Sequence, residues 1–477
     1  MLKTEEIKSF IDEDKTSQKK QKAQEGLRYY EGHHDIEQYK VYYFNDDGNL
    51  QEDNTKSNIR ISHPFFTEQI DQKAQYFLSG KDKFVKSNLP KLQSALDEYF
   101  DDEFKAELSD AITYSGVEGH SFLYGYKGED NKTHFSFAEG LSVVEVSAKY
   151  ASDNKDHIIY YYVDKIEKDK VITAVQDWDD EQTYYYKMID STITIDEDVE
   201  INPRPHILFE EEKDGSRAYD NYGLIPFWRL DNNRKQTSDL APIKALIDDY
   251  DLHACGMSNN LQDLADGYFV VKGFDGENLS ELIHNIKAKK AIGVAENGNV
   301  EIKTVNIPYE AREAKLKLDE TNIYRFGMAF NSAQVGDGNI TNIVIKSRYA
   351  LLDLKCNKLE KQVKKTLRQL LDIVLDEINS EKGTQYASKD VEIAFERETP
   401  TNESDNAQIK LTNAQCQQVE INNLLSTAEK LDDETIVKGL CNILDIDYEE
   451  IKGKINIENN GLGLNAASEL LLKKQED

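Results

Sequence analysis

The residue types that carry out chemistry are present in this sequence, but their spacing fits no common catalytic motif. A phosphate-binding loop needs a glycine-rich turn that ends in Gly-Lys-Ser/Thr, because the lysine must reach the phosphates and the hydroxyl the magnesium ion. The segments Gly80–Asp82 and Gly453–Ile455 lack both the hydroxyl and the leading glycine. Neither HExxH nor GxSxG occurs, and no cysteine lies in a nucleophile signature. The sequence therefore indicates a non-enzymatic structural protein.

Residues that bind metals are scattered in the same way. His33 and His34 adjoin, but neighbouring side chains diverge in a helix or strand, so a shared metal is not expected. The four cysteines are widely spaced and form no CxxC pair: Cys255, Cys356, Cys416 and Cys441. This usage predicts a reducing compartment without disulfides. We expect neither a metal nor a cofactor; a nuclease that holds Mg²⁺ with clustered carboxylates is the remote alternative.

Charge and composition limit the kinds of molecule that this protein can be expected to bind. The 477 residues include 58 Lys and Arg against 89 Asp and Glu, a net charge of −31. A basic surface that clings to nucleic acid is therefore not expected. The 39% hydrophobic and 10% aromatic content is too high for a disordered acidic chain. The N-terminus is acidic and no apolar run approaches about 18 residues, which predicts neither secretion nor a membrane partner.

The helices and strands that would position a site are predicted to form an α+β fold. Apolar residues recur every four positions from Leu92 to Ile112, which predicts one helical face. Residues 121–212 alternate in short runs, which predicts an antiparallel meander. Its tyrosine runs, 160–162 and 184–186, are expected to pack into the sheet on alternate sides rather than to stack on bases.

The second half of the chain is mainly helical. A helix is predicted over 239–265 with Asp239 as its N-cap, and another over 309–330. Between them lies a β-α-β-β insert with a hairpin turn at Asn297-Gly298. The small polar and glycine residues of 331–342 precede a predicted helix of 36 residues, Ile343 to Ile378. One strand, VEIAFER, and two or three further helices follow.

Two segments carry a family resemblance. GLIPFWRLDNNRKQTSDLAPIKALIDDYDLHACGMSNNLQDLADGYFVVKG and GDGNITNIVIKSRYALLDLKCNKLEKQ resemble portal proteins of tailed double-stranded DNA bacteriophages, of the type found in siphophages of Gram-positive hosts. YYEGHHDI and NIRISHPFFTEQIDQKAQYFLSG support the likeness. It is weak over the meander and the C-terminal third, although the order of elements agrees along the chain.

The resemblance implies a portal fold assembled as a cyclic ring, with these parts. Residues 1–237 form a wing of helices and meander, 238–267 the first stem helix, 268–308 a small βαββ clip, 309–330 the second stem helix, 331–342 the tunnel loop, 343–403 the long wing helix and a returning wing strand, and 404–477 an all-helical crown with the C-terminal tail.

The resemblance also implies the function and the partners. A ring, expected to be a dodecamer, would sit at one capsid vertex of the virion after assembly in the host cytoplasm. Double-stranded DNA would pass through its channel without tight binding during packaging, retention and ejection. Terminase large subunit and then a head-completion protein would dock on it, beside major capsid and scaffolding proteins. The alternative structural role is a neck or minor capsid protein without a DNA channel.

Two sets of residues follow as candidate sites. The tunnel loop would bring Gln334, Val335, Gly336, Asp337, Gly338 and Asn339 to the DNA. In the clip, Lys287, Lys289 and Lys290 form a basic cluster that would dock a partner. Both have plainer interpretations: the lysines as a solvated helix end that complements the helix dipole, and Asp337 as a turn residue in an ordinary helix connection.

Overall fold

A computed structural model describes most of the chain. The described residues are 1–45, 47–54, 56–128, 130–167, 170–210, 217–263, 268–272, 298–303, 308–331, 342–399, 401–427 and 430–448. The chain divides into two compact units, Met1–Gln334 with Tyr349–Glu398, and Val335–Arg348 with Thr399–Asp477. Helices and strands are mixed, as the α+β assignment predicts.

Ten α-helices are described. They are α1 (Thr4–Thr16), α2 (Gln18–Tyr30), α3 (Phe65–Phe77), α4 (Pro90–Leu96), α5 (Asp102–Glu118), α6 (Lys244–Asp263), α7 (Tyr309–Gly327), α8 (Asn342–Lys382), α9 (Glu403–Ser426) and α10 (Asp433–Leu444). None of these is long and apolar enough to cross a membrane, within the part of the chain that the structure describes.

Seventeen strands are described, and all of their pairings are antiparallel. They are β1 (Tyr42–Phe44), β2 (Leu50–Glu52), β3 (Val85–Lys86), β4 (His120–Lys127), β5 (Thr133–Glu139), β6 (Val143–Val146), β7 (His157–Glu167), β8 (Lys170–Trp178), β9 (Gln182–Ile189), β10 (Thr192–Ile195), β11 (Arg204–Pro205), β12 (Ile207–Glu210), β13 (Arg217–Asp220), β14 (Phe227–Asp231), β15 (Tyr268–Lys272), β16 (Asn299–Lys303) and β17 (Glu392–Ile393).

The predicted meander is present, but it divides into three sheets. Strands β6 to β10 run in sequence order in one sheet, with β11 beside β9. β4 and β5 join β14 in a second sheet, and β12 pairs with β13 in a third. The tyrosine prediction is confirmed on β9: Tyr184 and Tyr186 are buried in the core beneath the sheet, and Tyr185 lies on the other side of the strand. On β7, Tyr160 and Tyr161 are partly buried against two different cores, whereas Tyr162 is exposed.

The predicted helical face from Leu92 to Ile112 belongs to two helices rather than one. α4 ends at Leu96, and Asp101 then caps α5 by accepting a hydrogen bond from the backbone N–H of Phe104 at 2.9 Å. The apolar spacing continues across the break, so periodicity alone did not reveal it. An aspartate before an acidic first turn is the start signal that marks the second helix.

The long helix is confirmed as α8, whose 41 residues span about 60 Å at 1.5 Å per residue. Except for the exposed Leu354, its apolar positions from Leu352 to Ile378 are buried in the largest core, with α3, α4, α5 and the sheet of β4, β5 and β14. Gly383, at φ +62°, follows the last turn, where a left-handed backbone ends a helix without a Cβ clash. VEIAFER is extended but pairs only briefly, as β17 beside β3.

The second unit has its own small core. Ile421 on α9 packs with Ile436, Leu440 and Leu444 on α10. Asn342, at the start of α8, accepts a hydrogen bond from the Asn402 N–H at 2.8 Å. The prediction of two or three helices in this region is met by α9 and α10, the two helices that the structure describes there.

Candidate functional site

The candidate site is a pair of helices that brackets a two-stranded ribbon. α6 leads into β15, β15 pairs with β16 from Tyr268↔Lys303 to Lys272↔Asn299, and α7 follows. This is the order that the sequence predicts for a stem and clip. The predicted clip helix, Asn297 of the predicted hairpin turn, and the clip lysines Lys287, Lys289 and Lys290 lie outside the described residues. So do the tunnel-loop residues Gln334, Val335, Gly336, Asp337, Gly338 and Asn339.

The two helices share a buried base. Ile243, Ile247 and Ile323 lie in one core with Tyr29 and Phe66. Around it, the Phe65 ring meets Tyr250 of α6 and Tyr324 of α7 edge-on, at centroid distances of 4.9 and 5.9 Å. Edge-to-face aromatic contacts of this kind bury apolar surface and also fix the orientation of the rings. The base of the pair is therefore rigidly tied to α3, on which Phe65 and Phe66 lie.

α7 approaches α3 unusually closely at its end. A Cβ built on Gly327 would lie 1.9 Å from Oε1 of Gln69. Any larger residue must displace Gln69, whose side-chain amide donates to the Ile323 carbonyl at 3.4 Å. Lys355 of α8 also donates to the Gly327 carbonyl, at 2.9 Å. This end of α7 is consequently held from two sides.

An extended segment, residues 57–63, is fastened along α6 by a regular ladder. Side chains on α6 accept from backbone N–H groups of the segment: Asp251 from His63 at 3.1 Å, Cys255 from Ile61 at 3.2 Å, Asn259 from Ile59 at 2.6 Å and Asp263 from Ser57 at 3.0 Å. Four helical residues rise about 6 Å, and two extended residues span about 6.6 Å, so the two repeats match. The segment and α6 form one unit.

The first rung of this ladder is also a buried His-Asp-His cluster. Asp251 and His34 are buried, and the Asp251 carboxylate contacts Nδ1 of His34 at 2.6 Å and Nδ1 of His63 at 2.7 Å. Burial raises the pKa of Asp251, but the hydrogen bonds from the two imidazoles outweigh it and leave that pKa below its usual value. The cluster clamps α6 to the segments before and after β1 and β2.

Sequence reasoning missed this cluster. His33 and His34 do diverge, since His33 is exposed beside Glu37 at 3.2 Å whereas His34 turns inward to Asp251. The available signal was the row of acceptors at every fourth residue on α6, from Asp251 to Asp263, which the prediction of this helix from its apolar spacing did not use. Among the described residues, no group of three or more His, Cys, Asp and Glu has the geometry of a metal site.

The predicted N-cap of α6 is wrong. The helix begins at Lys244, and Asp239 instead lies in a turn and takes part in a mostly buried ion cluster. Its carboxylate contacts the ammonium of Lys73 on α3 at 2.8 Å and that of Lys355 on α8 at 3.1 Å, and accepts from Asn232 at 2.9 Å. These lysines compete for the carboxylate that a capping role would need. The cluster joins α3, α8 and the approach to α6.

Known proteins resemble this chain over most of its length. The model of the family described as phage portal protein, SPP1 Gp6-like, matches residues 9–452. The portal protein of Bacillus phage SPP1 is 28% identical over 386 residues, which cover 80% of this chain and 75% of that protein. The portal protein of Clostridium phage phiCD119 is 24% identical over 399 residues, covering 78% and 82%.

A solved structure, the virion of a native gene transfer agent particle, covers 69% of this chain and 79% of the matched chain at 14% identity, with a TM-score of 0.35. That score is too low to add to the assignment. The family model alone spans most of the chain, and both curated relatives carry the same description. The chain therefore belongs to the SPP1 Gp6-like family of phage portal proteins, structural components of bacteriophage virions.

Proposed function

We propose that this chain is the subunit of a closed ring that surrounds a DNA channel at one vertex of a phage capsid, through which the genome is packaged, retained and ejected. The observation that carries the proposal is the helix pair α6 and α7 with its β15–β16 ribbon, in a chain of the portal family. In this scheme α6 and α7 are stem helices, the ribbon belongs to the clip, and residues 331–342 form the tunnel loop.

The negative charge of the chain supports the proposal that DNA passes through the ring. A wall that attracted phosphates would hold DNA by releasing its counterions, and that affinity would oppose sliding. The net charge of −31 per chain favours the opposite behaviour. In the proposed ring, DNA passes without tight binding while terminase large subunit, and later a head-completion protein, contact the clip. Major capsid and scaffolding proteins would contact the outer surface.

Exposed apolar side chains on the helices support assembly. Each is more than a third exposed: Leu252 and Leu261 on α6, Leu318 and Phe326 on α7, and Leu351 and Leu354 on α8. Apolar surface of this kind, repeated along neighbouring elements, marks interfaces between proteins. A head-to-tail contact must either close into a ring or continue as a filament.

The purified chain is expected to form closed rings, most abundantly dodecamers. Native mass spectrometry and electron microscopy at several salt concentrations measure this directly. A particle with a central hole and the mass of twelve chains is the expected result. A compact monomer under all salt conditions would contradict the proposed function.

We further propose that Lys287, Lys289 and Lys290 dock an acidic region of the packaging motor. Replacing all three with Glu is expected to abolish motor-dependent packaging, because like charges would then face each other across the contact. Rings of the variant should form normally, which separates docking from assembly. Unaltered packaging would show that the three lysines are only a solvated helix end.

A further inference from the structure

One face of α8 carries a line of cations in an otherwise acidic protein. We name it the basic stripe. Its members are Leu351, Leu354, Lys358, Lys361, Lys365 and Arg368. All six are exposed, and their spacing of three and four residues places them on one helical face about 26 Å long. Among the described residues, none of the four cations has an ion-pair partner, although ion pairs are frequent elsewhere on this surface.

The opposite charge is concentrated on the far edge of the six-stranded sheet. We name residues 190–200 the acidic edge. It carries Asp190, Asp196, Glu197, Asp198 and Glu200 and no Lys or Arg. Two lysines of the adjacent strands offset part of this charge: Lys170 lies 2.8 Å from Asp190, and Lys187 lies 2.9 Å from Asp196 and also contacts Asp198. Within this segment β10 has one described neighbour, β9, and its Ile195 is exposed.

The stripe and the acidic edge are separated within one chain. On α8, the Thr366 hydroxyl donates to the Arg229 carbonyl at 3.1 Å, and the Arg229 guanidinium donates to Glu145 of β6 at 2.7 Å. The sheet then runs β6, β7, β8, β9, β10. Four strand spacings of about 4.8 Å separate β6 from β10, roughly 19 Å. The acidic edge therefore lies four strands beyond the strand that Arg229 joins to α8, and no ion pair between the edge and the stripe occurs among the described residues.

We propose that the basic stripe of one copy binds the acidic edge of a second copy, head to tail, and that this contact closes the ring. The inference rests on the proposed function, since it names the surfaces by which the subunits would meet. Charge is complementary, and the stripe also presents Leu351 and Leu354, which match Ile195 and the threonines of β10. DNA phosphates would pair with the cations of the stripe but would leave its two leucines without an apolar partner. A second copy of the chain offers partners for both, so it is the better candidate.

Charge reversal in two separate chains tests the contact. Replacing Lys358, Lys361 and Lys365 with Glu changes the net charge of the stripe from +4 to −2, and replacing Asp196, Glu197 and Asp198 with Lys changes that of the edge from −5 to +1. Each triple variant alone should assemble about 10- to 100-fold more weakly than the wild type at 0.15 M salt, because like charges then face each other. A 1:1 mixture should assemble again as a ring in which the two variants alternate, since both kinds of contact are then complementary.

The controls separate this proposal from the others. Replacing Lys22, Lys91 and Lys389 with Glu makes the same charge change as in the stripe variant at three other exposed lysines, and this control should assemble like the wild type. If the wild type forms rings and the variants assemble equally well, this contact is wrong but the proposed function stands. The same conclusion follows if mixing the two variants does not restore assembly. Loss of DNA binding with intact assembly in the stripe variant would assign the stripe to nucleic acid instead. A wild-type chain that never assembles would overturn both the contact and the proposed function.

Discussion

Replacing Asp239 with Ala is expected to lower the free energy of unfolding by about 3–5 kcal/mol, the cost of leaving buried charges without their partner. The carboxylate lies between two ammonium groups, and only 1% of the Lys73 side chain and 13% of the Lys355 side chain are exposed. Without Asp239 both lysines remain in a site that water barely reaches. Chemical denaturation followed by tryptophan fluorescence measures the change in the first unit.

The chain offers a matched control for Asp239. The pair of Lys83 and Asp97 has a similar length, 2.7 Å, but its side chains are 63% and 35% exposed. Removing the carboxylate there with Asp97→Ala should cost no more than about 1 kcal/mol, because water solvates both charges. If Asp239→Ala costs as little as the control, the cluster does not hold the fold together.

The same cluster predicts a dependence on pH. Burial raises the pKa of Asp239, but the ammonium groups of Lys355 and Lys73 outweigh it and lower that pKa well below its usual range. A carboxyl whose pKa is lower in the folded than in the unfolded state stabilises the fold above its unfolded pKa of about 3.9. This contribution is lost as the pH falls further. The Ala variant should therefore lose less stability than the wild type on acidification below about pH 4.

Replacing Asp337 with Lys is expected to slow DNA packaging by about tenfold or more at 50 mM salt. Asp337 is the one formal charge in residues 331–342, and we propose that this segment faces the DNA. In a ring, the substitution would repeat around the duplex as a collar of cations. Each neutralised phosphate adds about 0.9 to the salt slope of binding, so the duplex would be held and released again as salt rises.

The outcome is checked by the packaging rate at 50 and 200 mM salt. Rings of Asp337→Lys should form normally and regain part of their rate at the higher salt. Asp337→Asn removes the charge without reversing it and should package almost as the wild type does. A Lys variant that packages at the normal rate in low salt would show that Asp337 does not face the DNA, and the proposed position of the tunnel loop would be wrong.

Local patterns in the sequence were sufficient to predict the helices and strands that bury one face. The apolar positions of α8 recur at helical spacing, and all of those from Leu352 to Ile378 except Leu354 are buried. The alternation within the tyrosine runs predicted their packing in the same way. Periodicity is a property of neighbouring residues, so it can be recognised without knowing where the rest of the chain lies. The family resemblance, also visible in the sequence, is confirmed by the family model.

Only the tertiary structure decided which polar residues meet. Lys73, Asp239 and Lys355 lie far apart in sequence, and Asp239 had a plausible local role as a helix cap. His34, His63 and Asp251 come together for the same reason, and β14 joins β4 across about a hundred residues. A polar side chain can satisfy its hydrogen bonds with many partners, and burial among distant segments selects one of them. That selection depends on the fold as a whole, which no local pattern records.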